Sequence, residues 1–403
     1  MNVLFMSLGV FYDLTSSSVH IDILKRIAEE HSVYLVCKNE GEETKYNYEN
    51  GINVLRVHTG ELKRVGIIKK GINTILVEYQ FERAIKKILN DIRFDLVIYT
   101  TPPITFVRPI TYVKKRDKAV TYLMLKDIFP QNAVDIGMMS TDGVKGLLYK
   151  YFRKKEKKLY EISDYIGCMS EANINYIKQN NEEIDAYKLE MCPNITVIED
   201  LSINEETRNE IRRKYKVPLD ATVFIYGGNL GKPQGIPFLI ECLEKCRLTK
   251  GAFFLIIGQG TEYGMIENYI ASRSPENCML MRSLPKADYE TLVSACDVGL
   301  IFLDHRFTIP NFPSRILSYM KARVPVFAVT DPNTDIGDVI KAGNFGWWCE
   351  SDNSDRFKTM IEKIVAEKDA LHVSGDNGFE YMKNHYNPDI AYHTIIEKCQ
   401  TDN

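Results

Sequence analysis

Short apolar segments alternate with amphipathic segments along almost the whole chain, and this alternation limits the fold more than any other feature. The segments 18–30 and 74–89 have apolar residues three to four positions apart, which predicts helices. Strands that alternate with helices form parallel sheets covered by helices, so we predict an α/β fold. In the first half, the predicted strands are 3–6, 33–37, 54–57, 96–100, 120–125 and 165–169.

A second series of the same kind follows in the second half, after a break at Cys192-Pro193-Asn194 and a polar stretch through Glu205 and Arg208. Its predicted strands are 222–226, 253–257, 279–281, 298–302, 326–329 and 346–349. A chain of 403 residues also exceeds what one hydrophobic core usually serves. We therefore predict two Rossmann-like domains, at 1–195 and 196–385, and a final helix at 386–403. Ligands of such sheets bind outside the carboxyl ends of the strands.

Composition excludes several classes of function. The formal net charge of -3 argues against general nucleic-acid binding, which needs a basic surface. The 9 cysteines are scattered without the paired spacing of a zinc site, so we expect free thiols in a reducing cytosol. Residues 1–10 lack a cationic start and a cleavage site, and no apolar run reaches the roughly 20 residues that span a bilayer. Secretion and membrane spanning are both disfavoured.

A glycine-rich loop directly follows the strand that opens the second half. Gly228 and Gly231 let the backbone approach an anion closely, and Lys232 supplies a positive charge that suits a diphosphate. Asn229 and Gln234 belong to the same loop. The alternative is an ordinary strand-to-helix turn with a solvated lysine.

The segment Phe312-Pro313-Ser314-Arg315 predicts a helix that opens on a proline and precedes a buried strand. Proline is tolerated in a first helical turn because its missing N–H has no partner there. Ser314 and Arg315 would then lie among free backbone N–H groups at the positive end of the helix. This is a favourable place for a phosphate.

These two segments resemble the retaining GT-B glycosyltransferases of family four, whose nucleotide-diphosphate site has a Pro-Ser-Lys/Arg helix start before a Pro-Val strand. The loop form Gly-Asn-Leu-Gly-Lys-x-Gln-Gly is similar to the capsule and O-antigen polysaccharide subgroup, which includes N-acetylfucosamine-type sugar transferases. The resemblance implies two Rossmann-like domains facing a central cleft. It also implies a nucleotide sugar in the second domain, the acceptor in the first, and a last helix that packs back on the first domain.

The sequence departs from this family at two carboxylates. Family four has two glutamates eight positions apart, and the alignment on Pro313-Ser314-Arg315 places Pro310 and Ser318 at these positions. Many relatives also have an arginine where Asn229 stands and a lysine where Gln234 stands. The residues that the resemblance implies for donor binding are Gly9, Gly228, Asn229, Gly231, Gln234, Gly258, Ser283, Leu284, Pro313, Ser314 and Ser318.

The charged pair Lys126-Asp127 directly follows the predicted strand 120–125. Burial of two charges is costly unless they face a cleft or each other. Relatives in the subgroup have a similar charged pair here, so we expect Lys126 and Asp127 to contact the acceptor or the donor. A structural ion pair is the alternative. With Lys232 and Arg315 as cations on the diphosphate, these four are the predicted catalytic residues.

The segment 145–159 combines apolar residues with strong positive charge. Basic amphipathic helices lie on anionic membranes, although a solvated surface helix is the commoner outcome. The neighbourhood of Arg64, Lys69 and Lys70 could extend such a surface. The predicted membrane-facing cations are Lys150, Arg153, Lys154, Lys157 and Lys158.

The resemblance implies a metal-independent transferase that uses a nucleotide sugar, expected to be a UDP-sugar, and no bound cofactor. The expected acceptor is a polyprenyl-diphosphate-linked saccharide of capsule or O-antigen synthesis. The expected location is the cytoplasm, peripherally on the cytoplasmic face of the inner membrane. A non-catalytic nucleotide-sugar-binding subunit and a UDP-sugar 2-epimerase remain alternatives, although we identify no epimerase carboxylates and histidine.

Overall fold

The computed structural model describes residues 1–59 and 67–401, with side chains outside the description at 67–75, 144–145 and 400–401. The chain divides into two compact units. Unit 1 comprises Met1–Val197 and Pro388–Asn403, and unit 2 comprises Ile198–Asn387. Unit 2 therefore begins and ends two residues after the predicted limits of 196 and 385.

Unit 1 is built on an eight-stranded sheet with the order β3-β4-β2-β1-β5-β6-β7-β8. Neighbouring strands are parallel, except that β3 pairs antiparallel with β4. The order reverses between β1 and β5, which is where such sheets form ligand sites. The strands are β1 (Asn2–Met6), β2 (Ser32–Asn39), β3 (Lys45–Glu49), β4 (Ile52–His58), β5 (Leu96–Thr100), β6 (Val120–Leu125), β7 (Tyr165–Cys168) and β8 (Leu189–Met191).

Helices cover the sheet of unit 1, and the final helix of the chain is one of them. Tyr392 and Ile395 of α15 lie in the same buried core as Ile23 and Leu24 of α1. Arg26 of α1 stacks over the Tyr392 ring at 3.8 Å. The helices are α1 (Val19–Ala28), α2 (Ile67–Ile88), α3 (Val107–Asp117), α4 (Gln131–Asp135), α5 (Gly143–Ile162), α6 (Glu171–Asn180) and α15 (Pro388–Thr401).

Unit 2 has a parallel six-stranded sheet with the order β11-β10-β9-β12-β13-β14. Its order reverses between β9 and β12. The strands are β9 (Thr222–Asn229), β10 (Ala252–Gln259), β11 (Cys278–Arg282), β12 (Val298–Phe302), β13 (Val326–Thr330) and β14 (Gly346–Glu350). The helices are α7 (Glu205–Tyr215), α8 (Ile236–Lys245), α9 (Tyr263–Arg273), α10 (Lys286–Ser294), α11 (Ile316–Lys321), α12 (Ile336–Gly343), α13 (Ser354–Ala366) and α14 (Leu371–His385).

The structure confirms the α/β fold and every predicted strand, with ends that differ by up to three residues. Two strands were missed, β3 because its residues are polar and almost all exposed, and β8 because it has only three residues. The prediction of a helix opening at Pro313 is wrong, since α11 begins at Ile316. No helix in the described ranges has the length and apolarity needed to cross a bilayer.

Candidate functional site

The glycine-rich loop of unit 2 is held by its own side chains. The Tyr226 hydroxyl donates to the carbonyl oxygen of Asn229 at 2.8 Å. The Asn229 amide Nδ2 donates to Oε1 of Gln234 at 2.8 Å, and the same oxygen accepts from the Gly231 backbone N–H at 3.3 Å. Asn229 and Gln234 therefore hold the loop together through a hydrogen bond, at positions where many members of the resembled family have cations.

Two glycines allow neighbouring atoms to lie close to the backbone at the carboxyl edge of β9 and β10. Gly228 has a φ of 134°, and a Cβ on it would lie 2.7 Å from Nη2 of Arg315. A Cβ on Gly258, its neighbour in register on β10, would lie 2.0 Å from the Gly228 carbonyl oxygen. A side chain at Gly258 would require a shift of the backbone, and one at Gly228 would have to displace the Arg315 guanidinium at a strained φ.

Arg315 joins the glycine-rich loop to the segment that precedes α11. Its Nη1 donates to the Gly227 carbonyl oxygen, and its guanidinium lies 4.6 Å from the centroid of the Tyr226 ring. Tyr289 of α10 packs under the same loop, because a Cβ on Gly227 would lie 2.1 Å from the Tyr289 hydroxyl. The glycine-rich loop and the segment Phe312-Pro313-Ser314-Arg315, which were predicted separately as parts of a phosphate site, thus meet at the guanidinium of Arg315.

The turn before α11 leaves backbone donors free. The carbonyl oxygens of Pro313, Ser314 and Arg315 accept from Ile316, Leu317 and Ser318 N–H groups at 3.4, 3.1 and 3.1 Å. In contrast, the N–H groups of Ser314 and Arg315 donate to no acceptor among the described residues. The expected free donors are present, although they belong to a turn rather than to a helix end.

Lys232 supplies the exposed charge at this edge. It opens a short 3-10 turn after the glycine-rich loop, and its ammonium forms no ion pair or hydrogen bond in the described part of the chain. Burial raises the pKa of the nearby Glu262 carboxyl, and the charge of Lys232 opposes that shift. Lys232 is therefore available to an anionic ligand.

The other residues predicted for donor binding are spread over the same sheet. Ser283 and Leu284 follow β11, which lies two strands from β9. Ser318 is half-buried on α11, and Pro310 is buried. Neither position that holds a glutamate in family four supplies a carboxylate here.

In unit 1, Thr101 arranges the charged pair at the end of β6. Its Oγ1 accepts from the backbone N–H groups of Lys126 and Asp127 at 3.0 and 3.1 Å, and it donates to the Asp127 carbonyl oxygen at 3.1 Å. Asn132 Nδ2 donates to Oδ1 of Asp127 at 2.7 Å. Burial raises the pKa of Asp127 to about 6, and the Asn132 hydrogen bond opposes that shift. Sequence reasoning missed the supporting role of Asn132.

The Lys126 ammonium points away from Asp127. Its Nζ donates to the carbonyl oxygens of Cys192 and Pro193, each at 3.1 Å. Burial lowers the pKa of Lys126. The alternative of an ion pair between Lys126 and Asp127 is therefore wrong, and the lysine instead fixes the segment that leaves β8.

The loop after β1 is tied at Gly9. The Gly9 N–H donates to Oγ of Ser7 at 3.1 Å, and the Lys38 N–H donates to the Gly9 carbonyl oxygen at 3.2 Å. A Cβ on Gly9 would lie 3.0 Å from the Phe11 ring. Sequence reasoning missed His20, which follows this loop in the first turn of α1 after the cap Ser18.

Most cations predicted to face a membrane are paired with acids along α5. Arg153 pairs with Glu156, Lys157 with Glu183 and Lys158 with Glu161. These pairs reduce the positive field of the helix and favour a solvated surface at those positions.

Two of the predicted membrane-facing cations on α5 lack such pairs among the described residues. Lys150 and Lys154 are exposed and have no ion pair within the described ranges. Leu147 and Leu148 beside them are 66% and 49% exposed. The predicted extension through Arg64, Lys69 and Lys70 lies outside the described residues or side chains.

Comparisons with known proteins place these features in a family context. Residues 207–381 match the family described as "Glycosyl transferases group 1". The "Probable glycosyltransferase WbjE" of Pseudomonas aeruginosa is 21% identical over 321 residues, which cover 77% of this chain and 75% of that protein. The "Putative teichuronic acid biosynthesis glycosyltransferase TuaC" of Bacillus subtilis (strain 168) is 27% identical over 136 residues, 34% of this chain and 30% of that protein.

A solved structure covers the whole chain. Anabaena Alr3699/HepE in complex with UDP-glucose matches with a TM-score of 0.73 at 14% identity, over 100% of both chains. The protein thus has the two-domain α/β fold of GT-B glycosyltransferases. The match to the group 1 glycosyltransferase family covers most of the second unit.

Proposed function

We propose that this protein transfers a sugar from a nucleotide diphosphate donor bound by unit 2 to an acceptor bound by unit 1. The observation that supports this most is the arrangement around Arg315. A guanidinium, two free backbone N–H groups and the exposed Lys232 lie at the carboxyl edge of a sheet whose matched family is glycosyltransferases. Cations and N–H groups of this kind recognise phosphate oxygens.

Departure of the nucleoside diphosphate is the demanding step, because negative charge develops on the leaving oxygen. Arg315, Lys232 and the free N–H groups of Ser314 and Arg315 would stabilise that charge without a metal ion. The acceptor hydroxyl would attack from the same face, which retains the anomeric configuration. Asp127 would orient this hydroxyl, while the bonds of Lys126 to Cys192 and Pro193 make that lysine a positioning residue.

A UDP-sugar is the donor that we favour, because the structurally similar HepE is described in complex with UDP-glucose. An N-acetylated amino sugar fits the subgroup that the glycine-rich loop resembles. The favoured acceptor is a polyprenyl-diphosphate-linked saccharide of capsule or O-antigen synthesis at the cytoplasmic face of the inner membrane. Similarity to a teichuronic acid glycosyltransferase and the exposed Leu147, Leu148, Lys150 and Lys154 support that choice.

One alternative is supported by a specific observation. Pro310 and Ser318 supply no carboxylate where family four has two. A chain that had lost catalysis could still bind a nucleotide sugar and support a partner enzyme.

The deciding experiment incubates the purified protein with UDP-, GDP- and TDP-sugars and measures nucleotide release with and without a polyprenyl-diphosphate-linked monosaccharide. The proposal predicts release that depends on the acceptor and a product extended by one sugar. Nucleotide binding without any turnover would favour the non-catalytic subunit, and conversion of the donor to its epimer would favour the epimerase.

A further inference from the structure

One histidine lies at the edge of unit 1 where the acceptor is expected and has no role in the mechanism above. Strands β1, β5 and β6 are parallel neighbours, so the loops after Met6, Thr100 and Leu125 meet at one edge of the sheet. Helix α1 follows the first of these loops, and Ser18 caps it by accepting from the Ile21 N–H at 3.2 Å. His20 in its first turn therefore shares this edge with Gly9 and Asp127.

The imidazole of His20 is held in an apolar environment. Its ring lies 5.9 Å from the Phe5 ring and 6.2 Å from the Phe11 ring, measured between centroids, and both phenylalanines are buried. Burial, together with the charge of Lys126, lowers the pKa of His20 to about 4. The Lys126 ammonium is fixed by two carbonyl oxygens, so this charge stays in place. His20 is consequently neutral at pH 7.

The imidazole nitrogens of His20 have no hydrogen-bond partner within the part of the chain that the structure describes. No residue in the described ranges forms a hydrogen bond or an ion pair with the imidazole of His20. The residue is half-buried, and neither ring nitrogen is among the fully buried side-chain atoms that lack a partner. The ring nitrogens are therefore free to meet a ligand at this edge.

The chemistry of the ring selects the kind of ligand. A neutral imidazole offers one N–H donor and one lone pair, whereas a protonated ring offers donors alone. A sugar hydroxyl both donates and accepts hydrogen bonds, so it matches the neutral ring. Lys126 next to the ring keeps the lone pair available by disfavouring protonation.

We propose that His20 is an acceptor-binding residue, which accepts a hydrogen bond from a hydroxyl of the acceptor saccharide at the edge of unit 1. The inference rests on the proposed function, since it assigns a partner to the same acceptor site. Packing of α1 against Phe5 and Phe11 alone would explain the position of the ring but not its unpaired nitrogens.

Kinetics of three variants test the inference. His20→Phe keeps an aromatic ring without polar atoms, and His20→Gln restores a donor and an acceptor. His31→Phe is the control, because His31 follows the other end of α1 and stacks on Tyr392. With a UDP-sugar and a polyprenyl-diphosphate-linked N-acetylglucosamine, His20→Phe should raise the acceptor KM at least tenfold. His20→Gln should recover most of the loss, and UDP affinity should stay within twofold. An acceptor KM within twofold of wild type in His20→Phe would overturn the inference.

Failure of the proposed function is visible separately, as wild-type protein that neither binds UDP nor releases nucleotide. NMR of the histidine ring then still decides the inference, with the His20 signal assigned by its loss in His20→Phe. The expected result is a ring that stays neutral to pH 5 and whose shifts change when methyl N-acetylglucosaminide is added. A ring that titrates near pH 6.5, or that does not respond to this saccharide, would overturn the inference.

Discussion

The guanidinium of Arg315 donates a hydrogen bond to the carbonyl oxygen of Gly227, which lies 88 positions earlier in the chain. The same guanidinium stacks on the Tyr226 ring. The contact fixes the turn before α11 against the glycine-rich loop, so this turn and Lys232 lie at the same edge of the sheet. The proposed diphosphate site depends on this relationship.

Replacement of Arg315 tests the role of its charge and the role of its contact with the Tyr226 ring. We predict that Arg315→Ala lowers turnover at least tenfold, or about 1.4 kcal/mol of activation free energy, because a cation next to the leaving group is lost. Arg315→Lys keeps the charge but loses the planar stacking on Tyr226, so it should recover only part of the rate. Steady-state kinetics with a saturating donor measures both. Wild-type turnover in Arg315→Ala would remove the residue from the mechanism.

Gly228→Ala tests the close approach of the loop to Arg315. The added Cβ would clash with Nη2, and a φ of 134° is strained for alanine, at a cost of about 1 to 3 kcal/mol. We expect weaker UDP binding by calorimetry and a lower melting temperature. Gly264→Ala on α9 is the matched control, because a Cβ there meets no atom within 4 Å. Equal UDP affinities for the two variants would contradict the proposed position of the diphosphate.

Some structural elements of this protein can be predicted from its sequence better than others, because they depend on different kinds of interaction. Strands buried on both faces are runs of apolar residues, so β5 and β6 were predicted to the residue, whereas the exposed edge strand β3 has no such pattern. The start of α11 was misplaced because proline is compatible with both a helical turn and the observed one. The partners of Lys126 are backbone carbonyl groups 66 and 67 positions away. Every residue has a carbonyl group, so the residue types do not reveal this contact. A lone histidine after a serine cap was the only signal for His20.

The pH dependence of stability tests the environment of Asp127. Its pKa is raised by burial from 3.8 to about 6, so the folded state holds the proton more tightly than the unfolded state does. Ionised Asp127 therefore destabilises the fold above pH 6, and this cost disappears as the pH falls through 6 towards 4. Asp127→Asn should exceed wild type in the free energy of unfolding by about 1 to 3 kcal/mol at pH 7.5 and match it near pH 4. Urea titrations that show the same difference at both pH values would contradict this.

Membrane association is tested by two double variants of equal charge. Lys150→Ala with Lys154→Ala removes two unpaired cations, and Lys157→Ala with Lys158→Ala removes two that pair with Glu183 and Glu161. Both lose two positive charges, so a difference between them reports direct contact with lipid headgroups. At about 1 kcal/mol per contacting cation, the first variant should bind phosphatidylglycerol vesicles at least about fivefold more weakly than the second. Equal co-sedimentation would mean that Lys150 and Lys154 do not touch the membrane.

The central claim is that a nucleotide diphosphate lies between the turn before α11 and the glycine-rich loop. A crystal structure of the protein with bound UDP tests it most directly. The account predicts phosphate oxygens at hydrogen-bond distance, about 2.7 to 3.2 Å, from the Ser314 or Arg315 N–H and near the ammonium of Lys232. UDP bound elsewhere, with those N–H groups facing water or protein, would contradict the account.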